Sequence, residues 1–373
     1  MIGGRPNVSL AIGAVVFVCI FLTYLGSRSV RNELSSTSSP TKWVSPKGKQ
    51  EKSDVFNRTL GFEKVFVIGL PERSDKRDAL TLMSSLTGFQ LSWIDGVVGK
   101  TIPDKALPFG WDRETMQDSN LGSWRGHINA MRRIVEDGIS SALIMEDDMD
   151  WDVHVKEILA QFAQAASALQ KGFHQDQRLE SASPYGQDWD MLWLGSCVTT
   201  FDEDLPEHLQ IPYEQRDSRK ILIRNDPTVP PPGHILANGS FSWDNYPPQT
   251  RIVYVPGDNV CSFAYALSAA GAQKALQHMG LEGQQKPFDN HLSDLCRLRI
   301  NGMRCVSIVP SLFVHHRPRG KISGDSDINK GGNEEVREVG FTENILYSTR
   351  LNLRNLIRGL EPEKQWADLN LGV

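Results

Sequence analysis

The acids Glu146, Asp147, Asp148, Asp150 and Asp152 follow directly on the apolar stretch Ala142 to Met145. Carboxylates on neighbouring residues repel by roughly 2 to 4 kcal/mol per pair at an effective dielectric of about 20, unless water or a cation compensates them. A buried strand running into such a cluster suggests a metal site, because ligands of open α/β sheets collect outside the carboxyl ends of the strands. The run contains acid-x-acid pairs at 146/148, 148/150 and 150/152, each able to hold a hard divalent cation through oxygen, with a bound diphosphate completing the shell. On spacing alone it reads equally as a solvated acidic turn whose last acid caps the next helix. If strand geometry persists, Glu146 and Asp148 face the same way, since alternate residues share a side. Asp148 is then the principal ligand, with Glu146 and Asp147 close by, and Asp150 and Asp152 are better read as helix-start acids.

Strand-like runs are expected at Lys64 to Leu70, Gln90 to Ile94, Ala142 to Met145, Asp188 to Gly195, Val260 to Leu267 and Arg304 to Val309. Between them fall helical patterns at Ala79 to Leu86, around Trp124, Ile128, Met131 and Val135, at Val153 to Leu169, at Ala269 to Met279 behind Ser268 as cap, and at Thr342 to Leu360. This alternation predicts an α/β fold with a mostly parallel central sheet and flanking helices. Residues 199–256, rich in Pro, Asp, Arg and Asn, read as a surface insertion with hairpins, and Val314 to Ile328 as a polar loop.

A net charge of -5 gives no footprint for nucleic acid. Residues 8–25 carry no charge and approach the ~20 residues needed to span a bilayer, so they read as an uncleaved signal anchor behind a cytosolic head, 1–7. Residues 27–60 read as a disordered stem. A lumenal body agrees with the sequons at Asn57 and Asn238 and with four cysteines outside the span, Cys197, Cys261, Cys296 and Cys305. The short separation of Cys296 and Cys305 suits a pair, and four free buried thiols remain the alternative.

Five ordered motifs resemble glycosyltransferase family 25, the bacterial lipopolysaccharide sugar transferases and collagen galactosyltransferases. They are Val65 to Arg77, Asp95-Gly96, Leu121-Gly122 with His127 leading into Ala142 to Asp148, Trp189 to Gly195, and Tyr265 to Leu276. Pro287-Phe288-Asp289 and Ser326-Asp327-Ile328 extend the likeness, which covers residues 62–330 and leaves 331–373 as a C-terminal helical tail. One departure is the segment Trp124-Arg125-Gly126-His127, where many members carry a Cys and a Ser-His pair.

The resemblance implies a nucleotide-sugar glycosyltransferase (GT-A-like) architecture, a UDP-sugar donor, Mn²⁺ or Mg²⁺, and inversion at the anomeric carbon. It also implies transfer of a hexose, galactose as first choice, to a glycan or glycoprotein hydroxyl, by a type II protein of the Golgi or endoplasmic reticulum membrane. Under it, Glu146 and Asp148 bind metal, and Asp147 contacts metal or ribose. Arg73 and Arg77 take phosphate oxygens with their guanidinium forks or form a solvated helix start. Asp95 meets uracil or ribose, or serves an ordinary turn. His127 is a ligand or a packed, hydrogen-bonded histidine, and Asp289 is a general base or a helix cap. His315 and His316 precede the basic residues Arg317, Arg319 and Lys321, which fold over the diphosphate and add a metal ligand, or form a surface loop without a role. A silent lumenal binding protein and a metal-dependent phosphoryl-transfer or hydrolase enzyme are the competing readings.

Overall fold

A computed structural model of the chain describes residues 55–171, 183–205, 220–236, 242–328 and 334–366. The head, the apolar span, the stem up to residue 54 and the Asn238 sequon lie outside the described residues, among which no helix is long and apolar enough to cross a membrane. Ordered chain reaches back into the segment read as stem, because Val55 and Leu60 are buried in the core.

Eight strands form the central sheet: β1 (Lys64–Gly69), β2 (Ser92–Asp95), β3 (Ser141–Glu146), β5 (Met191–Gly195), β6 (Lys220–Ile223), β7 (Arg251–Tyr254), β8 (Ala264–Ser268) and β9 (Cys305–Val309). Their order is β2-β1-β3-β8-β5-β9-β7-β6. The pairs β2/β1, β1/β3 and β5/β9 are parallel, whereas β3/β8, β8/β5, β9/β7 and β7/β6 are antiparallel. The sheet is therefore mixed, which corrects the mostly parallel expectation. β8 enters between β3 and β5 from the segment after residue 256, not from a crossover helix, so it arrives from the opposite end. The segment read as an insertion supplies β6 and β7, a hairpin that extends the sheet.

Alternation along the central strands divides the core between two faces. Val65, Val67, Leu143, Met145 and Leu192 pack under α1 (Ser74–Leu86) and α3 (Val155–Lys171). Phe66, Ile68, Ile144, Trp193 and Tyr265 pack under α2 (Asp118–Glu136), α4 (Ala269–Gln277) and α5 (Phe288–Arg297). Ser268 caps α4 as expected, its Oγ accepting from Gly271 N at 3.0 Å. Gly271 must be glycine, since a Cβ there would stand 2.0 Å from the Asp190 carbonyl oxygen.

Two short strands outside the sheet matter for the site: β4 (Met149–Trp151) pairs antiparallel with β10 (Phe313–His315), setting His315 opposite Met149. A further hairpin joins β11 (Gly320–Lys321) to β12 (Val336–Arg337). The helix expected over 342–360 is reduced to α6 (Leu353–Ile357). Residues 342–350 are instead drawn into irregular structure by Asp150 and Asp152. Asp150 is fully buried and accepts from Thr342 Oγ1 at 2.7 Å, from Ser348 Oγ and from the Arg350 amide at 3.1 Å, while Asp152 accepts from the Tyr347 amide at 3.0 Å. Asp152 also accepts from the His154 amide near the start of α3, as a helix-start acid does; Asp150 does not fit that expectation.

Candidate functional site

The carboxyl end of β3 opens onto a cleft of about 910 Å³, lined among others by Lys76, Glu146, Asp147, Asp148, Asp289 and His315. That size suits a ligand well larger than a single sugar. Three groups converge in it. Glu146 ends β3, Asp148 lies in the turn between β3 and β4, and His315 is brought alongside by the β4/β10 ladder and by the His316 amide donating to the Asp148 carbonyl at 2.9 Å. His315 Nε2 stands 3.3 Å from Glu146 Oε2 and 3.6 Å from Asp148 Oδ1. Ligand atoms around one divalent cation with bonds of about 2.1 Å are typically about 3.0 to 3.5 Å apart, and one atom from each of the three residues falls within 4.8 Å of the others.

The chemistry of this set fits a cation. Asp148 Oδ1 is buried and accepts no hydrogen bond within the described residues, a costly state for a carboxylate oxygen unless a cation faces it. Burial pushes the Glu146 carboxyl up, but the His315 imidazole and the Ser262 hydroxyl outweigh it, leaving Glu146 below its ordinary range. Burial likewise pulls His315 down, and the charges of Asp148 and Glu146 carry it above its ordinary value.

Asp147 turns to the other side of the chain. Gly69 leaves room for it, since a Cβ there would come within 2.6 Å of Asp147 Oδ2. Lys76 Nζ donates to Asp147 Oδ1 at 2.6 Å and to Asp327 Oδ2 at 2.9 Å. Burial raises Asp147 to about 6 against the pull of Lys76. Burial lowers the Lys76 ammonium, and the carboxylates of Asp148 and Asp147 overcome it, so Lys76 stays charged.

The remaining expected residues fall in three places. His127 lines the cleft but is almost wholly buried: its Nδ1 lies 2.9 Å from the Tyr265 hydroxyl, its ring stacks on Phe288, and Nε2 is 3.8 Å from Glu146. Burial lowers its pKa to about 4, so it is neutral at physiological pH. Asp289, in the first turn of α5, accepts from the Cys261 amide at 3.2 Å and lines the same cleft. Burial raises its pKa against those N–H bonds, with the Glu146 charge adding to the rise.

Arg73, Arg77 and Asp95 are not among the lining residues. Arg77 donates to Asp95 Oδ1 at 2.6 Å and stacks on Trp93, and Arg73 pairs with Asp75 and Asp327. The basic loop is also committed to its own acids: Arg317 lies 3.9 Å from Asp325, Arg319 3.6 Å from Glu338 and Lys321 2.6 Å from Glu334.

Sequence reasoning passed over Lys76, Ser262 and Asp327 as site residues. For Lys76 the available signal was its place between two arginines behind β1; for Asp327, its motif; for Ser262 there was none. The cysteines form two disulfides, the expected Cys296–Cys305 and a second, Cys197–Cys261, whose Cys261 lines the cleft.

Residues 62–188 match the family model of glycosyltransferase family 25 (LPS biosynthesis protein), a span that holds Lys76 and the acidic run and ends before Ser262, Asp289 and His315. Procollagen galactosyltransferase 1 of Danio rerio is 27% identical over 149 residues, 36% of this chain and 22% of the relative. Procollagen galactosyltransferase 1-A of Xenopus laevis is 26% identical over 159 residues, 39% of this chain and 23% of the relative. A Bos taurus protein named Probable inactive glycosyltransferase 25 family member 3 is 22% identical over 246 residues, 62% of this chain and 31% of the relative. The chain thus spans less than a third of the length of these relatives. Residues 62–188 thus resemble glycosyltransferase family 25, and the likeness to these relatives covers part of the chain and part of each relative.

Proposed function

We propose that the chain is a metal-dependent, inverting glycosyltransferase that moves a hexose, galactose as first choice, from a UDP-sugar to a hydroxyl of a glycan or glycoprotein. The observation that carries this reading is the convergence of Glu146, Asp148 and His315 beside an orphaned carboxylate oxygen in a cleft large enough for a nucleotide sugar. Two carboxylates and an imidazole favour Mn²⁺ over Mg²⁺, which prefers an all-oxygen shell. A divalent cation held by these three residues supplies the positive charge that a departing diphosphate requires.

The chain's own groups then divide the work. Lys76, an ammonium facing the cleft beside Asp147, adds a second positive charge where the diphosphate separates. In an inverting displacement the acceptor oxygen bonds to the anomeric carbon as the bond to the diphosphate breaks, and one base takes the hydroxyl proton. Asp289 fills that role: it faces the cleft, and a carboxyl raised by burial is the better proton acceptor. Neutral His127 fixes Tyr265 and flanks Glu146. Anchorage by residues 8–25 with a lumenal body is part of the same proposal, and two disulfides support an oxidising compartment.

A donor screen reporting UDP, GDP or CMP release with and without Mn²⁺ tests the reading. Mn²⁺-dependent UDP release, lost in Asp148→Ala by at least about 10² to 10³, is the expected result; release of a nucleoside monophosphate would favour a phosphoryl-transfer enzyme instead. The name of the Bos taurus relative favours one alternative, a silent binding protein, in which UDP-sugar binding persists without turnover.

A further inference from the structure

Asp289 belongs to α5 and Glu146 to β3, yet both are held by consecutive residues of one short segment ahead of β8. The Cys261 amide donates to Asp289 Oδ2 at 3.2 Å, and the Ser262 hydroxyl donates to Glu146 Oε1 at 2.6 Å. Cys261 has φ of 70°, a conformation a non-glycine residue holds only where its surroundings impose it. Those surroundings are the disulfide to Cys197, two residues beyond the end of β5, the Cys197 amide donating to the Val260 carbonyl at 3.1 Å, and Trp193 Nε1 donating to the Cys261 carbonyl at 3.0 Å. The other disulfide joins the end of α5 to β9, and neither of its cysteines lines the cleft.

We infer that the Cys197–Cys261 disulfide is a positioning device that aims the proton acceptor Asp289 and the metal ligand Glu146 into the cleft together. Cys261 is the positioning residue, and the inference rests on the roles given to Asp289 and Glu146 under Proposed function. Fastened to the end of a central strand, residues 261 and 262 act as a common jig. One amide orients the carboxylate that takes the acceptor proton, and the next hydroxyl fixes which Glu146 oxygen remains for the cation. The disulfide therefore serves the geometry of the site in addition to the stability of the fold.

The test compares full-length Cys197→Ala/Cys261→Ala with Cys296→Ala/Cys305→Ala, each checked for a native near-ultraviolet circular dichroism spectrum. Mn²⁺ affinity without donor is measured by calorimetry, and kcat and the donor KM by UDP release. The first variant is expected to bind Mn²⁺ about 10- to 100-fold more weakly, the usual cost of losing an outer partner of a metal ligand. Its kcat is expected to fall about 100-fold, as for a misplacement near 1 Å. The second should lose thermal stability and keep Mn²⁺ affinity within about threefold of the parent, given that no ligand partner moves. Single changes separate the two arms: Ser262→Ala weakens Mn²⁺ binding alone, and Asp289→Asn lowers kcat alone. A folded Cys197→Ala/Cys261→Ala protein with parental affinity and kcat, or equal losses in both disulfide variants, overturns the inference. If that variant does not fold, amide exchange of the native protein decides: protection of the Cys261 amide should fall about tenfold in Asp289→Ala through loss of its acceptor, and unchanged protection refutes the coupling. Should the parent turn over no nucleotide sugar, the Proposed function fails, while calorimetry and amide exchange still decide the positioning claim.

Discussion

Replacing Lys76 with methionine tests the electrostatic account of the acidic run most directly. Lys76 and Asp147 are only 11% and 12% exposed, and their charged atoms lie 2.6 Å apart. At an effective dielectric of about 20 that pair has a gross attraction of about 6 kcal/mol. Stripping one partner from a buried pair costs about 3 to 5 kcal/mol net. The lower end applies here because Asp327, the second partner, is 38% exposed and can be rehydrated. Lys76→Met should therefore lose about 3 kcal/mol at pH 8 without metal, a shift of about 1 M in the urea midpoint for m near 3 kcal/mol/M.

The loss must depend on pH, and its sign is fixed. Burial already holds the Asp147 carboxyl up at about 6 with Lys76 in place, so without the ammonium it rises further. A carboxyl whose folded pKa lies above its unfolded value destabilises as pH climbs through the folded value and is harmless once protonated. The gap between parent and variant should thus shrink from pH 8 to pH 5, and Mn²⁺ at pH 8 should recover part of it by binding the folded state. Urea titrations at the two pH values, with and without Mn²⁺, make the measurement. A gap that is absent at pH 8, or equal at both, refutes the idea that Lys76 neutralises a buried acid here.

Three further outcomes follow from other parts of the molecule. Asp289→Asn should lower kcat by about 10² to 10⁴ while leaving donor binding near the parental value; calorimetry beside steady-state kinetics separates these, and equal loss of both marks a structural cap. Asp150→Ala removes the acceptor for Thr342, Ser348 and Arg350 from a fully buried position, so it should cost more than about 3 kcal/mol and expose 342–350 to limited proteolysis. His291 is fully buried beneath Trp111 with both ring nitrogens unpartnered among the described residues, and burial lowers its pKa to about 4. Its contribution is complete above about pH 6.5 and fades as pH falls toward 4, by up to about 3 kcal/mol, so His291→Phe should flatten the acid limb of the stability profile measured by urea unfolding.

What could be read ahead of the structure was the strand, the acids behind it and the histidine pair after β9, since apolar runs and carboxylate spacing are local properties. Lys76 escaped because Ser74 to Asp78 is wholly polar and gives no helical phase. The helical pattern is therefore legible only from Ala79, whereas the helix begins at Ser74. Only when α1 begins at Ser74 does its first turn direct Lys76 inward and leave Arg73 and Arg77 to Asp75 and Asp95. The direction of β8 escaped for a different reason: a run buried on both faces looks the same in either orientation.

Burial argues against a solvated turn for the acidic run. A solvated turn would leave its carboxylates to water, yet the side chains of Glu146, Asp147 and Asp148 are 20%, 12% and 16% exposed, and Asp150 and Asp152 are 0% and 2%. Their mutual repulsion is relieved by partners drawn from separate stretches of chain. Lys76 serves Asp147, residues 342–350 serve Asp150, Asp152 serves both α3 and Tyr347, and His315 with Ser262 serves Glu146. Within this run Asp148 keeps a buried oxygen without a hydrogen bond among the described residues, 3.6 Å from the His315 imidazole. With its neighbours compensated, this atom presents the run's remaining open carboxylate charge to the cleft, as the proposed cation site requires.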